Sequence, residues 1–465
     1  MPSRPRGREL CAAGARRVGE PLYATASRVD LWLVVEVSGA WPVEVGDSLD
    51  PGSPLGRALL PVLNAVPRSR VLFVKGAERG LRETLAFYAA VSDEAEPRLY
   101  HWELERYEDL EEIDLWGVLA GEERYDRCRQ AEPLFLICTH GTHDRCCAKF
   151  GFPLYRALAW QRPERVWQSS HVGGDRFAGN LVCLPAGLYY GFVEPDDGEV
   201  ILELTEQGQL YPSRWRGRTC YPPPVQAAEH FLREVEHETA IHAYRLRSHR
   251  RGGETTEARF LETGSGRQHL VRVETTLREG RRYMTCDTEE EQPVSGYRLL
   301  DHQVLPAEPE PASPGEAGYR LEPAAMRDYA FIYRLRRETL RRCLDELGMP
   351  GEERGPFCAR FDVTRHRLVY AGAQDPAGAI SVLERERELH LTNLHLLPAY
   401  QGRGLGAALV REVQAQARAT RRRVTTQVLK VNPARAFYER LGFRVEGEEG
   451  PRYRMAWEPS RAVGV

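Results

Sequence analysis

The stretch Leu305-Pro-Ala-Glu-Pro-Glu-Pro-Ala-Ser-Pro-Gly-Glu-Ala-Gly318 constrains this chain more than any other feature. Its prolines remove backbone donors and fix φ, its glutamates keep their charge in water, and no apolar residue recurs at a helical or strand period. It therefore reads as an extended, semi-rigid spacer. A chain of 465 residues is also longer than a single core supports. The expected organisation is one module over residues 11–302, a spacer over 303–318 and a second module over 319–460.

Ahead of the spacer, apolar runs of strand length (Trp32 to Val37, Val71 to Val74, Leu134 to Cys138, Leu181 to Leu184) alternate with helix-like stretches, Leu81 to Val91 and Val225 to Val235. That alternation predicts an α/β domain. From His242 to Cys286 the sequence turns polar and β-rich with glycine turn points, which predicts added antiparallel hairpins. No internal repeat is evident.

The apolar share is 42%, the charged share 28% and the net charge -3, values of a globular protein with no general attraction to nucleic acid or an anionic membrane. No apolar run approaches the roughly 20 residues of a membrane helix. Arg4, Arg6 and Arg8 are not followed by an apolar signal core, so a cytoplasmic location is expected. In that compartment ten cysteines point to buried thiols, metal ligation or redox chemistry rather than a disulfide framework.

In the second module, Met326 to Leu347 has the period of a long helix. Ala359 to Asp362, Leu368 to Ala371, Ala379 to Leu383 and Leu389 to Leu396 read as strands. Directly after the last strand stands Gln401-Gly402-Arg403-Gly404-Leu405-Gly406, at the start of a helix running to Ala417. Glycines there let backbone N–H groups approach a diphosphate while the helix N-terminus adds partial positive charge. A strand, Val424 to Leu429, then leads to Asn432-Pro433, a cap and first-turn pair, and to a helix closed by Gly442.

The glycine loop and the segment Asn432 to Phe443 together resemble GNAT acyltransferases, in that family's order and spacing. The resemblance implies an acyl-CoA N-acyltransferase α/β fold with a mixed central sheet, acetyl-CoA as acyl donor and an amine as acceptor, whether small molecule, peptide or protein. It implies a diphosphate site on the backbone of Gln401, Gly402, Arg403, Gly404, Leu405 and Gly406, and main-chain groups of Leu394 and Leu396 for the pantetheine and acetyl carbonyl. It further implies that Asn432 bonds the pantetheine arm and that Tyr438 is the general acid, with Phe437 as the core-facing ring. For a general base, Glu384, Glu388, His390 and His395 remain open.

In the first module the run Leu134 to Ile137 ends in Cys138-Thr-His-Gly-Thr-His-Asp-Arg-Cys146-Cys147, and Val166 to Ser170 leads into His171-Val-Gly-Gly-Asp175. Thiols at a strand end and an imidazole beside glycines can converge on a metal. These segments resemble the sucrase/ferredoxin-like family, thioredoxin-like ferredoxins with a two-iron, two-sulfur cluster. The resemblance implies Cys138, Cys147 and His171 as ligands, with Asp175 where the family has a second histidine; Cys146 or Cys183 are substitutes for that position. A cluster, a zinc ion and a metal-free thiol site all stay open. The loop histidines His140 and His143 read as solvated, and Cys11, Cys128, Cys220, Cys286, Cys343 and Cys358 as isolated, inert thiols.

The whole reads as an N-acetyltransferase fused to a ferredoxin-like redox module. The alternative is a two-iron, two-sulfur electron-transfer protein, with an electron-transfer partner, carrying an accessory acyltransferase.

Overall fold

The structure, a computed structural model, describes residues 9–46, 49–66, 68–77, 83–94, 96–305, 318–324, 328–348, 365–371 and 376–459. Two compact units are present, Met1–Glu308 and Pro309–Val465. No helix among the described residues is long and apolar enough to cross a membrane.

The first unit begins with α1 (Cys11–Arg17), followed by β1 (Leu31–Glu36), α2 (Pro54–Ala65) and β2 (Ser69–Lys75), with β1 and β2 parallel. A hairpin of β3 (Leu85–Val91) and β4 (Arg98–Leu104) returns antiparallel, with β3 on β1. After the short α3 (Leu115–Ala120) the same plan recurs. β5 (Leu134–Cys138), α4 (Arg145–Leu158) and β6 (Val166–Ser169) make a second parallel pair, and the hairpin of β7 (Leu181–Leu184) and β8 (Leu188–Tyr190) returns with β7 on β5. Two four-stranded thioredoxin-like cores thus stand edge to edge, joined where β2 meets β6 antiparallel at Val74↔Ser169 and Lys75↔Gln168.

This duplication corrects the expectation of no repeat. The two halves share strand order and direction while their residues differ, so no sequence period marks it. A second correction concerns Leu81 to Val91, expected as helix; residues 83–91 are described, and Leu85–Val91 is strand. Flanked by β1 and β4, β3 is buried on both faces, and a continuous apolar run carries no alternation to separate strand from helix.

Helix α5 (Pro195–Glu206), β9 (Trp215–Arg218) on the edge of the nine-stranded sheet, and α6 (Pro223–Glu236) follow. The expected hairpins form an antiparallel sheet of β10 (Tyr244–Gly252), β11 (Thr255–Glu262), β12 (Gln268–Arg282) and β13 (Gln292–Leu305), paired in chain order. The apolar face of α6 packs against it through Val225, Ala228 and Leu232, beside Phe260 and Val271. Residues 306–317 of the spacer lie outside the described residues.

The second unit is a seven-stranded mixed sheet in the order β14-β15-β16-β17-β18-β20-β19. Its elements are β14 (Arg320–Pro323), α7 (Tyr329–Glu346), β15 (His366–Tyr370), β16 (Gly378–Glu384), β17 (Glu388–Leu396), α8 (Leu405–Ala419), β18 (Arg423–Leu429), α9 (Ala434–Arg440), β19 (Arg444–Glu449) and β20 (Arg452–Trp457). The expected strand Ala359 to Asp362 lies outside the described residues. One face of α8, Leu409, Val410, Val413 and Ala417, packs on the sheet. A fully buried Leu or Val contributes about 1.5–3 kcal/mol, which anchors the helix whose N-terminus faces the site.

Candidate functional site

β17 and β18 run parallel from Glu388↔Arg423 to Leu391↔Thr426, and their pairing stops there although both strands continue. A bulge between Ser381 and Val382 in the pairing of β16 with β17 coincides with this point. Strands that part in this way leave main-chain groups without ladder partners. The opening is a cleft of about 1220 Å³, lined by Leu394, Leu396, Thr426, Asn432, Phe437 and Tyr438 among others.

At its mouth the loop after β17 places Gly402 at φ +71° and Gly404 at φ +84°, a region only glycine enters without strain. A Cβ built on either would meet nothing within 4 Å. The first turn of α8 has N–H groups without intrahelical acceptors there. Gln401 donates its side-chain N–H to the Leu396 carbonyl at 2.8 Å and so ties the loop back to β17. Gln401, Gly402, Gly404 and Gly406 line the cleft; Arg403 and Leu405 lie between them in the same turn. Asn432 accepts the Ala434 N–H at 2.9 Å, the cap expected from Asn-Pro, which commits its Oδ1 and leaves its amide N–H₂ group for a ligand.

Both rings of α9 line the cleft, and the order of their burial differs from that expected. Tyr438 is the buried one at 7% exposure, packed edge-on between Phe437 and Phe443, whereas Phe437 is half-buried. Burial pushes the Tyr438 hydroxyl up to about 12, against a hydrogen bond with Thr426, so it is protonated at neutral pH.

Of the four candidate bases only His395 lines the cleft. Glu384 accepts from Gln416 and Arg422, and Glu388 pairs with Arg385 and Arg423. His390 bonds the Thr425 hydroxyl at 2.8 Å. His395 Nδ1 lies 2.8 Å from Thr339 Oγ1 on α7, and burial, with Arg336 and His366 adding to it, pulls its imidazole down to about 3. Arg336, which bonds Asn393, and Thr339 were not legible as site residues: α7 is distant in sequence, and its polar face reads as an ordinary solvated one.

In the first unit, β5 ends at Cys138, α4 begins with Asp144 as its cap, and the loop after β6 carries His171 and Asp175. One ligand atom from each of Cys138, Cys147 and His171 lies within 4.8 Å of the others, and the same holds for His143, His171 and Asp175. Cys147 Sγ is 3.1 Å from Asp175 Oδ1 and 3.9 Å from His171 Nδ1, and His171 Nδ1 is 3.0 Å from Asp175 Oδ1. The His143 ring stacks on His171 at 3.7 Å and its Nε2 lies 3.7 Å from Asp175 Oδ2. The reading of His140 and His143 as solvated is corrected: His140 is buried and accepts the His171 N–H at 3.0 Å, and His143 joins the cluster. Their spacing in Thr-His-Gly-Thr-His was the available signal.

Burial pushes the Asp175 carboxyl up, but hydrogen bonds from His143 and His171 hold it well below the carboxylate range. Burial pulls His171 down, but Asp175 and Cys138 outweigh it and raise the imidazole to about 9. Cys138 is held low, first by the hydrogen bond from Cys147, whose own thiol is pushed up. Two thiols, imidazoles and a carboxylate form the donor set of a thiophilic metal or a mixed-ligand iron–sulfur centre. Cys183 packs in the core of β7 near Thr205, and Cys146 turns away toward Cys11 and Cys286.

Residues 22–217 match the family model described as Sucrase/ferredoxin-like, and residues 364–445 that described as Acetyltransferase (GNAT) domain. A curated relative, altered inheritance of mitochondria protein 32 of Meyerozyma guilliermondii, is 33% identical over 97 residues, 18% of this chain and 34% of that protein. The match thus spans about a third of that relative's length. Among solved structures, the PaiA N-acetyltransferase of Thermoplasma acidophilum in complex with coenzyme A is 18% identical, with 30% of this chain and 99% of that one covered and a TM-score of 0.26. An acetyltransferase from Thermus thermophilus is 23% identical, with 30% and 97% covered and a TM-score of 0.25. The chain therefore has two regions that match two different family models, Sucrase/ferredoxin-like at residues 22–217 and Acetyltransferase (GNAT) domain at residues 364–445.

Proposed function

We propose that this chain is an N-acetyltransferase that moves an acetyl group from acetyl-CoA to an amine, and that its first unit is a redox module. The observation that carries the first part is the parting of β17 and β18 over a cleft with the glycine loop at its mouth. Backbone N–H groups from Gln401 to Gly406 hold the diphosphate, and main-chain groups of Leu394 and Leu396 take the pantetheine and the acetyl carbonyl. The amide N–H₂ of Asn432 bonds the pantetheine arm. The amine attacks the thioester carbonyl, the carbon–sulfur bond breaks, and Tyr438 gives its proton to the departing thiolate. Because Thr339 donates its hydroxyl to the Leu335 carbonyl at 2.8 Å, His395 donates from Nδ1 to Thr339 and presents an unprotonated Nε2. An imidazole held this low orients the amine or a water and passes the proton on rather than storing it.

Calorimetry of acetyl-CoA binding to the full chain and to Gly404→Leu tests the site. The wild type binds saturably. Leu at φ +84° distorts the loop and weakens binding roughly tenfold or more, the order of losing one hydrogen bond to a charged group. A folded wild-type chain without detectable binding overturns the reading. CoA release against a panel of small amines, peptide N-termini and lysine peptides then identifies the acceptor.

In the first unit the donor set fits mixed thiolate and imidazole ligation: Cys138, Cys147, His171 and Asp175 would hold a two-iron, two-sulfur cluster, with His143 beside the Asp175 carboxylate at 3.7 Å. Such a cluster supplies one-electron transfer to a partner. The residues' own contribution is to fix ring orientation through Asp175 and to exclude water, Cys138 and Cys147 being buried.

A further inference from the structure

Three cysteines far apart in sequence meet behind this site. Cys11 opens α1, Cys146 lies in the first turn of α4, and Cys286 sits in the connection between β12 and β13. Their sulfurs form a triangle with edges of 3.5 Å (Cys11 to Cys146), 3.4 Å (Cys146 to Cys286) and 3.7 Å (Cys286 to Cys11). All three are free thiols at 5% exposure or less. Cys11 and Cys286, isolated in sequence and expected to be inert, are brought together by the fold.

A fourth donor stands beside them. Asp144 is 3% exposed, and both of its carboxylate oxygens lie 3.9 Å from Cys11 Sγ. Each oxygen also accepts a backbone N–H, from Cys146 at 2.7 Å and from Cys286 at 2.6 Å, which aims the carboxylate and leaves lone pairs on both oxygens. One ligand atom from each of the four residues lies within 4.8 Å of the others.

We propose that Cys11, Cys146, Cys286 and Asp144 form a closed structural site for a single thiophilic cation of the zinc class, separate from the one at Cys147. An ion about 2.3 Å from each sulfur requires thiolates roughly 3.8 Å apart in tetrahedral geometry, a few tenths of an ångström beyond the triangle observed. A disulfide accounts for two of the three thiols and strands the third. Apolar packing accounts for the thiols, which adjoin Phe177, Phe192 and Ala12, and capping of α4 accounts for the burial of Asp144, but neither requires three sulfurs and a carboxylate to converge on one point. The N-terminus of α4, to which Asp144 is the cap, offsets part of the negative charge that the ion leaves. Two of the three thiols lie outside residues 22–217, the part of the chain that matches the sucrase/ferredoxin-like model.

The consequence is positional. Cys146 and Cys147 are consecutive on one helical turn and face different sites. An ion on Cys146 ties α1 and the β12–β13 connection to the turn that carries Cys147, and so fixes the neighbouring site from behind.

The test uses the full chain carrying Cys138→Ser and Cys147→Ser, which removes the other site's thiols. Titrated anaerobically with cobalt(II) after chelator treatment, it is expected to bind about one ion, with a thiolate-to-cobalt charge-transfer band and the visible bands of a tetrahedral site, both abolished by zinc(II). Adding Cys286→Ser removes the signal. A folded background variant that gives no such band overturns the proposal. If the background variant does not fold, the wild-type chain decides. Iodoacetamide should label Cys11, Cys146 and Cys286 only after chelator has removed zinc, measured by peptide mass spectrometry with metal analysis of the same sample. Labelling that is the same with and without chelator, or a disulfide between any two of the three in anaerobic protein, overturns it.

Discussion

Thr339 Oγ1 on α7 and His395 Nδ1 on β17 lie 2.8 Å apart, and the Thr339 hydroxyl is itself donated to the Leu335 carbonyl. This pair fixes the tautomer of the one candidate base that reaches the cleft. With burial pulling it down to about 3, His395 is neutral around pH 7. The logarithm of kcat/KM should rise with pH toward the pKa of the acceptor amine, without an inflection near the imidazole value of about 6.5. His395→Gln should lower kcat/KM and leave the shape of the profile unchanged. An inflection near 6.5 in the wild type that vanishes in His395→Gln would assign His395 as a titrating base.

Tyr438→Phe keeps the ring that packs between Phe437 and Phe443 and deletes only the hydroxyl. Loss of a general acid costs on the order of 10²-fold or more in kcat with little change in acetyl-CoA affinity. Single-turnover kinetics with the best acceptor, alongside calorimetry, separates the two effects. An unchanged chemical step would return Tyr438 to the core alone.

Asp175 contacts Cys147, His171 and His143, and in the proposed cluster site it would be either a ligand or the group that holds two imidazoles in place. As the fourth ligand, its replacement in Asp175→Ala makes an anaerobically purified iron–sulfur chromophore labile. Asp175→His retains the chromophore and raises its reduction potential, since a neutral donor replaces an anionic one. Iron and sulfide analysis with visible spectra reads both. A chromophore that survives Asp175→Ala and is lost in His143→Ala transfers the fourth position to His143.

Glu94 accepts the Leu246 N–H at 2.6 Å and the Tyr221 hydroxyl, and burial, against these bonds and Arg218, pushes its carboxyl from 4.5 up to about 7. The folded form then binds the proton more tightly than the unfolded form. Stability from this group is complete below pH 4.5 and is lost as pH rises through about 7. Urea denaturation of the full chain, followed through the first unit's transition, should show a midpoint falling over that interval. Glu94→Gln should flatten the slope there; an unaltered slope counts against the shift.

Short-range chemistry was legible from residues alone. The cap at Asn432, the glycines 402 and 404, and the strand from Glu388 to Leu396 depend on neighbours a few positions away, and each local conformation follows from side-chain and φ preferences. Cys138, Cys147 and His171 were picked out through a family resemblance, and they meet because β5 and β6 are adjacent parallel strands with Cys147 on the helix between them. Tertiary structure decided the rest. The second thioredoxin-like core repeats a topology, and topology is a pattern of backbone hydrogen bonds that dissimilar apolar runs satisfy equally well. The meeting of Cys11, Cys146 and Cys286 spans separations of 135 and 140 residues, which no periodicity encodes. The parting of β17 from β18, and the arrival of Thr339 beside His395, arise where whole elements pack. A sequence specifies what each residue prefers next to its neighbours in the chain, while the neighbours it acquires in space depend on how all the apolar faces are buried together.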